Sequence, residues 1–207
     1  MKKNLLIIGA GGHGKVVADI ALKMNFWKSI FFLDDNENIK NTLGIRVLGK
    51  SENIINYIEE YDIFVAVGNN SIREKLHKKI ENAGGSIPTL IHPKAVIGKG
   101  VEIGDGTVVM AGAIINPCTK IGKGCIINTG STIDHDNVIG DFVHISPGCH
   151  LAGFVTVGNR CWLGIGSIVA NNLSITSDCQ VGAGGVVITN LNEPGVYIGI
   201  PVRRYSK

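Results

Sequence analysis

Between Ile91 and Val187 an aliphatic residue returns at every sixth position. The series runs Ile91, Ile97, Ile103, Val109, Ile115, Ile121, Ile127, Ile133, Ile139, Ile145, Leu151, Val157, Leu163, Val169, Ile175, Val181 and Val187, with no insertion. An α-helix repeats at about 3.6 residues and a strand at 2, so neither accounts for the pattern. A fixed period of six in mostly β-branched residues predicts a parallel β-helix. Two residues before each aliphatic lies a mostly small one, among them Ala95, Thr107, Ala113, Thr119, Cys125, Ser131 and Asn137. Positions two apart in a short strand face the same way, so this second column also points inward. Three residues after each aliphatic, glycine recurs at 100, 106, 112, 124, 130, 148, 166 and 184. These mark the corners, where a residue free to adopt positive φ costs least. Three hexads close one triangular coil, so residues eighteen apart stack at the strand spacing of about 4.8 Å.

Upstream the pattern changes. Leu5–Ile8 is a buried-strand run that ends in a glycine loop, and Val16 to Met24 has helical spacing. Ile30–Leu33 predicts a second strand and Ile63–Val67 a third, with helices over Ile54–Glu60 and Ile72–Ala83. Strands alternating with helices imply a parallel sheet. The expected organisation is an α/β Rossmann-like domain over 1–87, a β-helix over 88–190 and a C-terminal tail over 191–207.

Composition narrows the function classes. The chain has 207 residues and is 44% hydrophobic and 18% charged, with 28 glycines and a net charge of +3. No run of Lys or Arg marks a nucleic-acid surface. The apolar run after Lys2-Lys3-Asn4 is too short for a signal-peptide core or a membrane span, and no later stretch is long enough. With five cysteines and no C-x-x-C motif, a cytoplasmic protein with free thiols is expected. Cys125, Cys149, Cys161 and Cys179 share the small inward phase and read as packing residues, whereas Cys118 falls at a corner.

Candidate chemistry lies in two places. Gly9-Ala10-Gly11-Gly12-His13-Gly14 satisfies G-x-G-x-x-G between a strand and a helix, where backbone N–H groups can hold phosphate. Asp34 and Asp35 sit about where an acidic residue meets a ribose. A dinucleotide site is formally open, although the domain is small for one. A P-loop would need Ser or Thr where Val16 stands. A plain tight turn also remains open, and a mononucleotide or nucleotide-sugar site fits the small domain best. In the β-helix, His135 occupies a corner, flanked by Asp134 and Asp136, and Gly153 one coil on leaves space beside the ring. A carboxylate on one imidazole nitrogen raises the basicity of the other, so His135 reads as a general base or as a solvated surface histidine. His144 and His150 take the outward strand phase, and His77 and His92 read as structural or exposed. The stacking neighbours of His135 are Pro117 and Gly153, so zinc would lack converging ligands and no metal is expected.

Taken together, Gly11-Gly12-His13-Gly14, Asp34-Asp35, Gly68-Asn69-Asn70, Asn128-Thr129-Gly130, Asp134-His135-Asp136, Phe142-Val143-His144 and Gly195-Val196-Tyr197-Ile198-Gly199-Ile200-Pro201 resemble the sugar acyltransferases of the PglD/NeuD type, in order along nearly the whole chain. The resemblance implies a Rossmann-like domain followed by a left-handed parallel β-helix, assembled as a homotrimer with active sites between subunits. It implies acetyl transfer from acetyl-CoA to the amino group of a UDP-linked 4-amino sugar, with no metal. His135 would be the base and Asp136 the residue that raises its basicity. His144, Ile165 and the backbone at Ala183 would contact acetyl-CoA, while Gly11, Gly12, His13, Asp34, Asp35 and Gly68 would hold the nucleotide sugar. One member of the family carries Glu for Asp136 and Gly for Ala183, so this chain has a shorter arm at the first position and an added methyl at the second. Two further readings are O-acetylation of a sialic acid or glycan, and a non-catalytic nucleotide-sugar-binding trimer.

Overall fold

The structure is a computed structural model that describes residues 2–205. Residue 1 of the expected first domain and residues 206–207 of the expected tail lie outside the described residues. The chain divides after Pro93 into two compact units.

The first unit is a five-stranded sheet with two helices. Its elements are β1 (Asn4–Ile8), α1 (Gly12–Met24), β2 (Ser29–Leu33), β3 (Asn41–Thr42), β4 (Ile45–Gly49), β5 (Tyr61–Val65) and α2 (Asn70–Asn82). The sheet order is β3-β4-β2-β1-β5, with β1, β2, β4 and β5 parallel and β3 antiparallel to β4. Leu6, Ile8, Leu33, Ile54, Ile63, Val65 and Ile80 form its core. Strand order reverses at β1, so the carboxyl ends of β1, β2 and β5 frame the crevice where such sheets take ligands. The helix expected over Ile54–Glu60 is instead a 3-10 stretch over Ser51–Tyr57. Asn53, Ile54, Ile55, Asn56 and Tyr57 are mediocre helix formers, and a short tight helix suits them. The β3–β4 hairpin was not expected either. Its turn places Leu43 at φ 53° and Gly44 at φ 74°, and leucine gives no advance sign of a left-handed backbone.

The second unit is a left-handed parallel β-helix with three faces. One face carries six strands from Val96–Ile97 to Val186–Val187, and another carries five from Glu102–Ile103 to Ser174–Ile175. A third includes the strands from Val108–Val109 to Cys179–Val181. Register holds at eighteen residues throughout, as in Ile115↔Ile133, Ile121↔Ile139 and His144↔Trp162. The periodic aliphatics fill the interior; Ile115, Ile127, Ile133, Ile145 and Leu163 are fully buried. The four inward cysteines are buried among them and Cys118 is exposed. At the far end Gly195–Gly199 pairs in parallel with Cys179–Val181, and Val202–Arg204 then folds back antiparallel upon it.

The corners follow one rule. Every sixth residue from Gly100 to Gly184 has φ between 57° and 74°, and these fifteen comprise the eight predicted glycines and Cys118, Asp136, Phe142, Phe154, Arg160, Asn172 and Asp178. Along one edge of the prism side chains tie successive corners together. Asp141 Oδ1 accepts from Lys123 N (2.9 Å), Asn159 Oδ1 from Asp141 N (2.8 Å) and Ser177 Oγ from Asn159 N (3.0 Å). A bidentate Arg160–Asp178 pair, both bonds 2.7 Å, reinforces that edge and holds the Asp178 carboxyl below the usual range.

Candidate active site

The first edge to consider carries His135. Its side chain is 49% exposed, and Nδ1 lies 2.8 Å from Asp136 Oδ2. An ionised carboxylate only accepts, so Nδ1 carries the proton and the Nε2 lone pair is available as a base. Asp136 occupies a corner at φ 57°, a backbone region that aspartate tolerates better than most residues. Asp134 does not touch the ring. Its Oδ1 accepts from Asn116 Nδ2 (2.7 Å) and from His135 N (2.9 Å), bonds that hold its carboxyl below the ordinary carboxylate range and fix the turn from outside.

Gly153 does not leave an empty space beside the ring; the ring fills it. A Cβ at Gly153 would lie 2.8 Å from both Cε1 and Nε2 of His135. Any larger residue there would push the imidazole away. Phe154 meets the same ring edge-on, with centroids 5.2 Å apart and an interplanar angle of 86°. Phe154 and Phe142 both sit at left-handed corners, but Phe154 is 56% exposed whereas the Phe142 ring is buried over Gly124.

On another edge, at the corners of residues 147, 165 and 183, a cavity of about 350 Å³ is lined by His144, Ser146, Trp162, Ile165 and Ala183 among others. The structure thus brings the three expected acetyl-CoA residues to one place. The His144 ring stacks flat on Trp162, with centroids 5.5 Å apart and an interplanar angle of 5°, and Trp162 Nε1 donates to Ser146 Oγ at 2.9 Å. Asn128 Oδ1 accepts from Thr129 N (2.8 Å), which turns its Nδ2 toward His144 Nε2 at 3.2 Å. Asn128 thereby presents an amide N–H to His144 Nε2. Apolar walls and backbone corners suit the pantetheine arm of a coenzyme A thioester. Trp162, Asn128, Asn116 and Phe154 were missed as site residues. Only the eighteen-residue ruler could have found them, since each lies within one coil of His144 or His135.

The crevice of the first unit is the third place. Gly9, at φ 98°, has room for no side chain, since a Cβ would lie 2.8 Å from Ala66 O, and one on Gly14 would overlap the Gly9 carbonyl. These two glycines let α1 approach β1 closely. Gly11 and Gly12 have nothing within 4 Å of a built Cβ. Gly11 caps α1, whose first turn carries no acidic side chain, so its bare N–H groups favour an anion. His13 is pushed down to about 4, first by burial and then by the nearby Arg73 cation, so it meets a ligand as a neutral imidazole. Arg73 Nη1 donates to the carbonyls of Val67 (3.0 Å) and Gly68 (3.1 Å). Asp34 Oδ2 accepts from Ala10 N (2.6 Å) and its Oδ1 from Asn36 N (2.8 Å). Asp35 takes both Ser51 N (2.8 Å) and Ser51 Oγ (2.9 Å). Asp34 and Asp35 line a cavity of about 290 Å³ with Ile8, Leu33, Val67 and Ile72. Gly11, Gly12, His13 and Gly68 do not line it; Gly11 and Gly68 lie in the loops after β1 and β5, and Gly12 and His13 in the first turn of α1.

Residues 4–80 match the family described as the PglD N-terminal domain, and residues 100–135 match the bacterial transferase hexapeptide, six repeats. The UDP-N-acetylbacillosamine N-acetyltransferase of Bacillus subtilis (strain 168) is 37% identical over 112 residues, 53% of this chain. That match spans about half, 52%, of the curated relative's length. The acetyltransferase domain of PglB from Neisseria gonorrhoeae FA1090 superposes with a TM-score of 0.96 at 37% identity, over 99% of this chain and 100% of that one. The same domain is known in complex with acetyl coenzyme A. PerB from Caulobacter crescentus, in complex with CoA and GDP-perosamine, gives a TM-score of 0.93 at 37% identity, over 98% of this chain and 97% of that one.

Proposed function

The chain belongs to the PglD-type sugar acyltransferases with hexapeptide repeats, and from that premise we propose that it is an acetyl-CoA-dependent N-acetyltransferase of nucleotide-linked amino sugars. The observation that carries this reading is the His135–Asp136 pair, with its Nδ1–Oδ2 contact of 2.8 Å on an exposed edge. Acetyl-CoA supplies an activated acyl group as a thioester, and the cavity at His144, Ile165 and Ala183 is where its arm would lie. His135 Nε2 takes a proton from the sugar amine as the amine nitrogen bonds to the thioester carbonyl carbon. The C–S bond breaks, and the thiolate of CoA leaves. The N–H of Gly153 faces the charge that develops on the carbonyl oxygen. Gly11, Gly12, His13, Asp34, Asp35 and Gly68 hold the nucleotide part, with a UDP-linked 4-amino sugar as the first candidate. Neutral His13 leaves the diphosphate charge to the N-terminus of α1.

The working unit in this reading is a homotrimer in the cytoplasm. His135 and the acetyl-CoA cavity lie on different edges of one prism, on either side of the six-stranded face. That face exposes Val96, Ile114 and Ile168. A second copy packed there brings its own His135 edge toward the first copy's cavity.

The test is thiol release from acetyl-CoA against a panel of UDP-, GDP- and dTDP-linked amino sugars and free sialic acids. Release is expected only with an amino-sugar nucleotide, and His135→Ala is expected to lower it at least about a hundredfold. Equal release without acceptor, or undiminished release by the variant, overturns the mechanism. Tight nucleotide-sugar binding without turnover points to a binding protein instead.

A further inference from the structure

Beneath the His135 turn, inside the coil, lies a polar side chain that the reaction above does not use. Asn137 is fully buried, in an inward stack that runs Val101, Thr119, Asn137, Val155 and Leu173. Its Nδ2 donates to Asp134 O (2.7 Å) and to Ala152 O (3.0 Å), with a longer approach to His135 O (3.4 Å). Its Oδ1 accepts from Val155 N at 3.1 Å. One buried amide therefore ties the corner of the base to the corner one coil on.

Part of this is ordinary for the fold. Thr107 bonds Gly122 O and Cys125 N, and Thr119 bonds Asp134 O and Asn137 N, at the same sequence offsets. Asn137 differs by reaching back to its own turn as well. The carbonyls it grips also matter. Ala152 C=O and Gly153 N–H belong to one planar peptide, as do Asp134 C=O and His135 N–H. In a trans peptide the oxygen and the N–H point in opposite directions. A donor inside the coil that holds Ala152 O inward therefore holds Gly153 N–H outward, on the residue whose α-carbon the His135 ring lies against.

Resting on the proposed acetyl transfer, we infer that Asn137 is a positioning residue that fixes the orientation of the Ala152–Gly153 peptide and its register with His135. It sets the oxyanion donor relative to the base. A flipped peptide would present a carbonyl where the developing negative charge needs a donor.

Thr and Val both occur in this stack, at 119 and 155, so the coil accommodates either in place of Asn137. Asn137→Val removes the grip on Ala152 O. Its kcat is expected to fall at least about thirtyfold, while KM for acetyl-CoA and for the nucleotide sugar stays within about twofold. Asn137→Thr can hold Ala152 O as Thr119 holds Asp134 O, and is expected to recover kcat to within about fivefold of the parent. A merely structural role predicts that kcat follows the folded fraction in both variants, without rescue by Thr. Full activity in Asn137→Val, or equal loss in Asn137→Thr, overturns the inference. If Asn137→Val does not fold, Asn137→Cys takes its place, because Cys125 and Cys161 make the same carbonyl contact as weaker donors; an intermediate loss is then expected and full activity overturns the idea. His135→Ala in the same assay separates the two levels. An active His135→Ala refutes the acetyl-transfer reading, whereas loss there with an unaffected Asn137→Val refutes only the positioning role.

Discussion

At Asp136 two demands meet in one side chain: it must tolerate a left-handed backbone and must present a carboxylate to His135 Nδ1. Exchanging it for Asn keeps the first and removes the charge. Asp136→Asn is expected to lose at least about tenfold in kcat/KM with stability within about 0.5 kcal/mol of the parent. Asp136→Gly suits the backbone still better, so it should hold its unfolding midpoint and lose activity. Denaturant titration beside the thiol-release assay checks both. His13 carries a pH signature of its own. Its folded value of about 4 lies below the ordinary histidine value of 6.5. The unfolded chain therefore binds this proton more readily, and stability contributed by neutral His13 is full above pH 6.5 and lost as pH falls toward 4. The loss amounts to at most roughly 3 kcal/mol, and a His13→Asn variant should lack that portion when midpoints at pH 7 and 5 are compared. At this scale the sequence revealed the identity of the pair at 135 and 136, because the resemblance singled it out. It did not reveal that Asp134 serves the backbone, which depends on Asn116 one coil away, and it placed Gly153 beside the ring as open space rather than as the surface the ring lies on.

The repeated element is a two-residue strand followed by a corner, and the corners explain what a six-residue pattern can and cannot disclose. Inward aliphatics are a volume requirement, so their period was plain in the chain. Positive φ is a backbone requirement that glycine meets most readily, so eight corners were foreseen from their glycines and a ninth, Cys118, from the period alone, while seven of the fifteen carry a side chain. At those seven the stacked coils on either side hold the backbone in a conformation the side chain does not favour. Two glycines separate conformational cost from steric cost. Gly130 has φ 64° and nothing near a built Cβ, so Gly130→Ala should cost about 1 kcal/mol. Gly124 has the same backbone, φ 63°, with the Phe142 ring against it, and Gly124→Ala should cost clearly more. Thermal or urea unfolding of the two variants side by side measures the difference. In the first unit the same reasoning explains the unforeseen β3–β4 hairpin, whose left-handed Leu43 conceals a turn that Asn or Gly would have announced.

For the whole molecule, the thiols report on whether the coils stay shut. Burial pushes Cys149 and Cys161 up to about 12 and raises Cys179, while Cys118 is exposed. A native sample treated with a thiol reagent at pH 8 should release about one equivalent per chain and about five in denaturant. More than one in the native state would mean that the coils open on the time scale of the assay. The edge carrying Asp141, Asn159 and Ser177 is tied shut by side chains, whereas the other two carry the His135–Asp136 pair and the cavity. The molecule thus separates scaffold from chemistry by edge rather than by coil. The hairpin of Gly195–Gly199 and Val202–Arg204 has a consequence of another kind. A stack of parallel coils has no internal reason to stop, and its last rung is a template on which another chain can add. The returning antiparallel strand ends that sequence of rungs with a pairing a further coil cannot continue. Removing it should turn a discrete enzyme into the seed of an open-ended fibre, visible as growing light scattering on storage.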